Sequence, residues 1–216
     1  MRLFSPEWEA IKEFDTQAQV REAQFDLAGR QLPADHGLVL HEALCARLPW
    51  LADTPGAGVH PIQGEDNGAG ALVIGRRTKL TLRLPIQRMA DAAALCGARF
   101  DLGNGPITVG ALKERPLMPC AYLYSHFVDL GMADEVEFLA EARRHLDAMA
   151  LPGGLIPGKQ RKMRVPRGEI VGYSLMLHDI SLAQSITLQE QGLGGYRGLG
   201  CGLFIPHKSI KEVIAG

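Results

Sequence analysis

An α+β fold built from two successive ferredoxin-like (RRM-like) halves is what this 216-residue sequence predicts. Three observations carry the prediction. One order of elements (strand, helix, two strands, helix, strand) occurs twice, at a period of about 105 residues. Apolar residues alternate in the runs read as strands, and they recur every three or four positions in the runs read as helices.

In the first half, AQFDLAGR alternates around Phe25 and Leu27 as a half-buried strand does. ADHGLVLHEALCARLPWL then sets Leu40, Leu44, Leu48 and Leu51 at helical spacing, with Asp35 as its expected N-cap. A glycine-rich connection leads to ALVIGRRTKLTLRLP, whose two runs flanking Arg76 and Arg77 predict a strand pair. IQRMADAAALC predicts a helix and ARFDLGNGPITVGAL a closing strand. The Pro-containing KERPLMP segment marks the division, placed between residues 113 and 114.

The second half begins with CAYLYSHFVDL, rich in aromatic and β-branched residues, and continues with the amphipathic DEVEFLAEARRHLDAM. The segment from the glycine pair at 153 and 154 through EIVGYSLMLHDI predicts a hairpin. SLAQSITLQEQ predicts a helix and CGLFIPH the last strand. In such units the helices cover one sheet face and leave the other open to a ligand.

Composition places the chain among ordinary globular proteins, with 46% hydrophobic and 22% charged residues. No apolar run approaches the roughly 20 residues that span a bilayer, and the acidic start is unlike a secretory signal, so a cytoplasmic protein is expected. Cys45, Cys96, Cys120 and Cys201 are scattered, and neither CxxC nor HExxH occurs, so no metal site and no cofactor is expected. The net charge of −1 hides an asymmetry. Residues 1–57 carry nine acidic and five basic side chains, against four acidic and eight basic in residues 151–216. The positive excess gathers in GKQRKMRVPR, where Lys159, Arg161, Lys162, Arg164 and Arg167 follow one another with no carboxylate between them. Alternate residues of a strand there would turn several cations to one face.

Between the last helix and last strand lies GLGGYRGLGCG. Glycine admits positive φ and has no Cβ, so its backbone can approach a phosphate and present N–H groups to it. Gly194, Gly195 and Arg197 are therefore read as contacts to a phosphate or sugar. The glycines at 192, 194, 200 and 202 fit GxGxxxxxGxG immediately before the last strand. In that position the motif resembles the CRISPR-associated repeat-cleaving endoribonucleases of the RAMP superfamily. LPADHGLVLHEAL, GVHPIQG, RRTKLTLRLP and LGCGLFIPHKSI resemble most the subtype MYXAN group, first associated with myxobacterial loci.

The resemblance implies metal-independent cleavage of a CRISPR repeat transcript into guide RNA, with a stem-loop repeat and the mature guide as partners. Other subunits of a Cascade-type effector complex would join them. It also implies a catalytic histidine on or near the first helix. Such cleavage needs a base for the ribose 2′-hydroxyl, an acid for the departing 5′-oxygen, and cations or N–H groups around the phosphate. His36 is the leading candidate for the base, because a helix N-terminus favours neutral imidazole. Its bland alternative is a capping or partly buried histidine. His41 is the rival, about 140° further around the helix, and His60, in the glycine-rich connection, is third. Arg76, Arg77 and the five cations of the basic run are expected to contact RNA, and Lys208 to balance phosphate charge. A solvated basic surface is the ordinary alternative for each.

Two other functions remain compatible with these letters. A non-catalytic subunit that holds a guide would share the fold and charge. A small-molecule enzyme or regulator on the same common fold would need no RNA at all.

Overall fold

A computed structural model describes residues 18–207. Lys208 lies outside the described residues. The first half is organised on a five-stranded antiparallel sheet: β1 (Val20–Ala28), β3 (Gly58–Val59), β6 (Lys79–Pro85), β7 (Arg99–Asp101) and β8 (Pro106–Arg115). Its order is β3-β6-β1-β8-β7. A small second layer has the order β2-β5-β4, from β2 (Gln31–Pro33), β4 (Glu65–Asp66) and β5 (Ala71–Val73). The other large sheet, in the second half, has the order β10-β11-β9-β12, from β9 (Leu123–Val128), β10 (Gly154–Val165), β11 (Gly168–His178) and β12 (Ile205–Pro206). Numbering the four principal strands within each half, both large sheets run second, third, first, fourth. That is the ferredoxin-like order, so the fold class is the expected α+β tandem.

Each half has its own core. Helix α1 (Gly37–Arg47) buries Leu40 and Leu44 against Phe25, Leu80 and Leu82. Helix α2 (Glu135–Ala148) buries Phe138, Ala142 and Leu146 among Leu123, Leu175 and Leu177, and α3 (Leu182–Gln191) adds Leu188. Both later helices start on strong local signals. The Asp134 carboxylate accepts from the Val136 and Glu137 N–H groups, and Ser181 and Gln184 form a reciprocal capping box.

Four local expectations give way to the structure. Residues 86–96 form two short 3₁₀ turns, Ile86–Arg88 and Asp91–Leu95, instead of an α-helix. Met89, Ala92, Leu95 and Ala98 are all buried. Their spacing of three matches the period of a 3₁₀ turn better than that of an α-helix. The pair expected around Arg76 and Arg77 also divides: β5 joins β2 and β4, while β6 joins β1 and β3. ARFDLGNGPITVGAL, expected as one closing strand, forms the β7–β8 pair instead. Finally, the residue before α1 is His36, with no side-chain cap bond, while Asp35 pairs with Arg164 of β10 at 3.5 Å.

Arg83 joins the halves. Its side chain is 0% exposed, its guanidinium donating to Glu22 Oε1 (2.7 Å) and to the Gln189 carbonyl of α3 (2.8 Å). Gln189 in turn donates to the Met118 carbonyl at 2.9 Å.

Candidate active site between the halves

Tyr196 and Gly200 in the glycine-rich segment have positive φ (56° and 95°), with a 3₁₀ turn at Arg197–Leu199 between them. The turn folds the segment onto the first half. Gly37 packs on the Leu199 carbonyl, Gly58 on Leu203, and Gly200 on Pro61. A Cβ on Gly200 would meet Pro61 Cγ at 2.8 Å, so glycine is needed there for closeness as well as for φ.

The two candidate histidines of α1 separate cleanly in this arrangement. His36 is 4% exposed. Its Nε2 accepts from the Ile62 N–H at 3.0 Å, which leaves Nδ1 as the protonated nitrogen, donating to the Pro33 carbonyl at 3.0 Å. Both nitrogens are therefore engaged in pinning the 60–62 loop to the helix start. His41 is half-buried and faces the glycine segment. A Cβ on Gly198 would come within 2.5 Å of His41 Cε1, so the ring is seated directly on that main chain. Burial holds both imidazoles below their usual pKa, His41 in the neutral form a base requires.

Around His41 is an open cleft of about 430 Å³, lined by Thr54, Pro166, Gly194, Gly195 and Tyr196 among others. Four stretches of sequence thus meet: α1, the segment 51–57 that carries Thr54, the glycine segment, and the β10–β11 turn that carries Pro166. Arg164, at the end of β10, and Arg167, next to Pro166 in the turn, are both exposed. Tyr196, 42% exposed, is the residue that sequence reading passed over. Its only signal in the sequence is an aromatic ring in an otherwise small-residue segment.

Other expected contacts are distributed differently. Arg197 points into the protein, donating to the Gln191 carbonyl and, at 3.2 Å, to the Gly56 carbonyl. Burial and the neighbouring Arg83 push its pKa down to about 10. Arg197 thus ties the glycine segment to the first half while also lining the cleft at His41. Lys159, Arg161, Lys162, Arg164 and Arg167 are all exposed, Lys162 being paired with Glu169 at 2.9 Å. Arg76 and Arg77 lie in an exposed turn, and Arg77 lines a second cleft of about 550 Å³.

His60 and His126 also line that second cleft. His60 Nε2 stands 3.2 Å from Glu22 Oε1. Burial works to raise the Glu22 carboxyl, yet His60 and Arg83 beside it hold it down at about 2. His60 is thus part of the Arg83 cluster and is absent from the lining of the cleft at His41. Among the described residues, no three His, Cys, Asp or Glu side chains gather in a way that would hold a metal ion. No described helix is long and apolar enough to cross a membrane.

Comparison with known proteins follows the same outline. The family model described as Cas6 Crispr matches residues 22–209. A CRISPR-associated endonuclease Cas6 from Myxococcus xanthus is 36% identical over 183 residues, covering 84% of this chain and 79% of that protein. Among solved structures, a RAMP protein binding different RNA substrates superposes with TM-score 0.59 at 15% identity, over 88% of this chain and 99% of its own. A Cas6-related protein from Pyrococcus furiosus gives TM-score 0.55 at 14% identity, over 88% and 99%. These structural likenesses concern the fold, whereas the family match and the myxobacterial relative carry the assignment: this chain belongs to the Cas6 family of CRISPR-associated endonucleases.

Proposed function

We propose that the protein binds a CRISPR repeat transcript and cuts it without metal, with His41 as the base that takes the ribose 2′ proton. The observation that carries this reading is the placement of a half-buried, neutral imidazole in an open cleft, against the main chain of a glycine segment. The 2′-oxygen attacks the adjacent phosphorus as the bond to the 5′-oxygen breaks, leaving a 2′,3′-cyclic phosphate and a 5′-hydroxyl. Backbone N–H groups around Gly194 and Gly195 are suited to the phosphate oxygens, and Tyr196 to a proton or hydrogen bond at the departing oxygen. His36 acts by holding the helix and the 60–62 loop together.

Arg164 and Arg167 are proposed to grip the RNA backbone at the mouth of the cleft, with Lys159, Arg161 and Lys162 extending the grip along the hairpin. Arg76 and Arg77, in their separate turn, would meet a more distant part of the RNA. Replacing Arg164 and Arg167 together with alanine should weaken hairpin binding and flatten its salt dependence by about one unit of log K per log salt for each lost phosphate contact. Filter binding at several salt concentrations reads both. We place the protein in the cytoplasm, its two functional halves dividing near residue 113, and its product in a Cascade-type effector complex.

The decisive test is cleavage of a cognate hairpin by purified protein in chelator. The expected result is a cut that disappears when the ribose at the cut site lacks its 2′-hydroxyl. A cut that persists on the deoxy substrate, or that requires magnesium, would refute the mechanism.

A further inference from the structure

Strand β9 carries a set of rings that the cleft at His41 does not use. Its Leu123 belongs to the core around α2, so by alternation Tyr124 and His126 turn to the opposite face of the sheet, away from the helices. The register sets Tyr124 directly across from Met176 of β11 and Ile205 of β12, which share that face. The Tyr124 ring meets His126 edge-on, with centroids 5.0 Å apart, and His207 at 5.4 Å. Tyr124 and His126 are half-buried, and His207 is exposed. Arg161 of β10 lies on the same face, opposite the glycine at 172. Burial first, and then Arg161, hold the His126 imidazole below its usual pKa, which places the guanidinium near a neutral ring. His126 and Ile205 line the cleft of about 550 Å³, together with Arg77 and Lys79 from the first half. Lys79 is already paired with Asp26, and the Glu22 carboxylate there with Arg83, so Arg77 and the exposed Arg161 are left to face an anion. The glycine segment joins the two clefts, Gly200 lining this one and Gly198 the one at His41.

We infer that this face is a stacking platform for unpaired nucleotides beside the hairpin. Tyr124, His126 and His207 offer ring surface to the bases, and Arg161 and Arg77 offer charge to the phosphates. Stacking tolerates any base, because each has a π-face, and rings set between cations suit a strand of RNA better than an apolar protein surface. The inference rests on the protein holding its hairpin at His41, from where a strand has only to pass Gly198 to Gly200 to reach the rings.

The test uses the full chain and two RNAs, the bare hairpin and the hairpin carrying its unpaired flanks. Abasic nucleotides, which keep the backbone and remove one base, are placed in turn along the flanks. At one position or more, loss of the base should weaken binding to the wild type and to Tyr124→Phe by roughly 5–150-fold, equivalent to the 1–3 kcal/mol of a stacked base. In Tyr124→Leu, which keeps apolar bulk and is checked for folding by circular dichroism, that penalty should largely disappear while the bare hairpin binds as it does to the wild type. Thiouridine in the flank, irradiated in the wild-type complex, should crosslink to β9 or to residues 205–207, a readout that needs no variant. An abasic penalty that ignores the ring, crosslinks confined to other segments, or a Tyr124→Leu that weakens both RNAs equally overturns the platform. A dimer in sedimentation that Tyr124→Leu dissolves, with RNA affinity unchanged, gives the face to a second copy of the chain and overturns it too. If neither RNA binds, the hairpin reading fails and the platform with it. If the bare hairpin is bound and cut while the flanks add nothing, only the platform fails.

Discussion

Replacing His41 with alanine is expected to slow cleavage of bound hairpin by about 10²–10⁴-fold, the range over which a general base contributes. Binding should change little, because the cations at the cleft mouth remain. His36→Ala gives the opposite pattern. It leaves the Ile62 N–H and the Pro33 carbonyl without their buried partner, and should lower stability by about 1–3 kcal/mol with cleavage retained in the molecules that stay folded. Single-turnover cleavage and denaturant titration of both variants separate the two roles. A His41→Ala enzyme at wild-type speed beside an inert but folded His36→Ala would reverse the assignment. The pH profile supplies a second check. Burial holds the His41 pKa below its ordinary value of about 6.5, so the neutral base persists as pH falls past that value. The acid limb of kcat/KM should accordingly lie below pH 6.5, and a limb above it would contradict a buried base.

The largest effect on stability is expected at Arg83. Removing one partner of a buried ion pair leaves the other charge desolvated and costs about 3–5 kcal/mol. Arg83→Leu would strand the Glu22 carboxylate beside His60 and free the Gln189 carbonyl of α3. Urea denaturation at pH 7 should register that loss, and a loss below about 1 kcal/mol would show that the cluster is easily rearranged. Because Arg83 holds the two halves together, the variant should also lose cooperativity, the second half unfolding apart from the first.

Much of this architecture could be read from the sequence, for identifiable reasons. Helices α2 and α3 were legible in DEVEFLAEARRHLDAM and SLAQSITLQEQ, and the structure adds the caps at Asp134 and Ser181. The repeated order of elements carried the tandem fold. Legibility stopped where tertiary context overrode local pattern. IQRMADAAALC has the composition of a helix, while the burial of Met89, Ala92 and Leu95 at a spacing of three belongs to its 3₁₀ turns. Strand β5 alternates as a strand should, but alternation does not say which neighbour it will join.

The site was legible at the level of its parts. The first helix, the glycine segment and the basic run were each singled out, while the choice between His36 and His41 turned on which way the helix faced. The helix N-terminus that favours a neutral ring at His36 also buries that ring against Pro33 and Ile62, which the letters do not show. Arg197 likewise has the composition of a phosphate ligand, while its bonds to main-chain carbonyls depend on the folded segment. Tyr196 went unnoticed because it belongs to the other half of the chain from the helix it approaches.

That last arrangement bears on how the protein must be made. The imidazole is supplied by the N-terminal portion and the main chain over it by the C-terminal portion. A ribosome must therefore have made the chain through Gly198 before the His41 ring can be seated, and a fragment ending before Gly192 keeps that imidazole while lacking the main chain that packs on it.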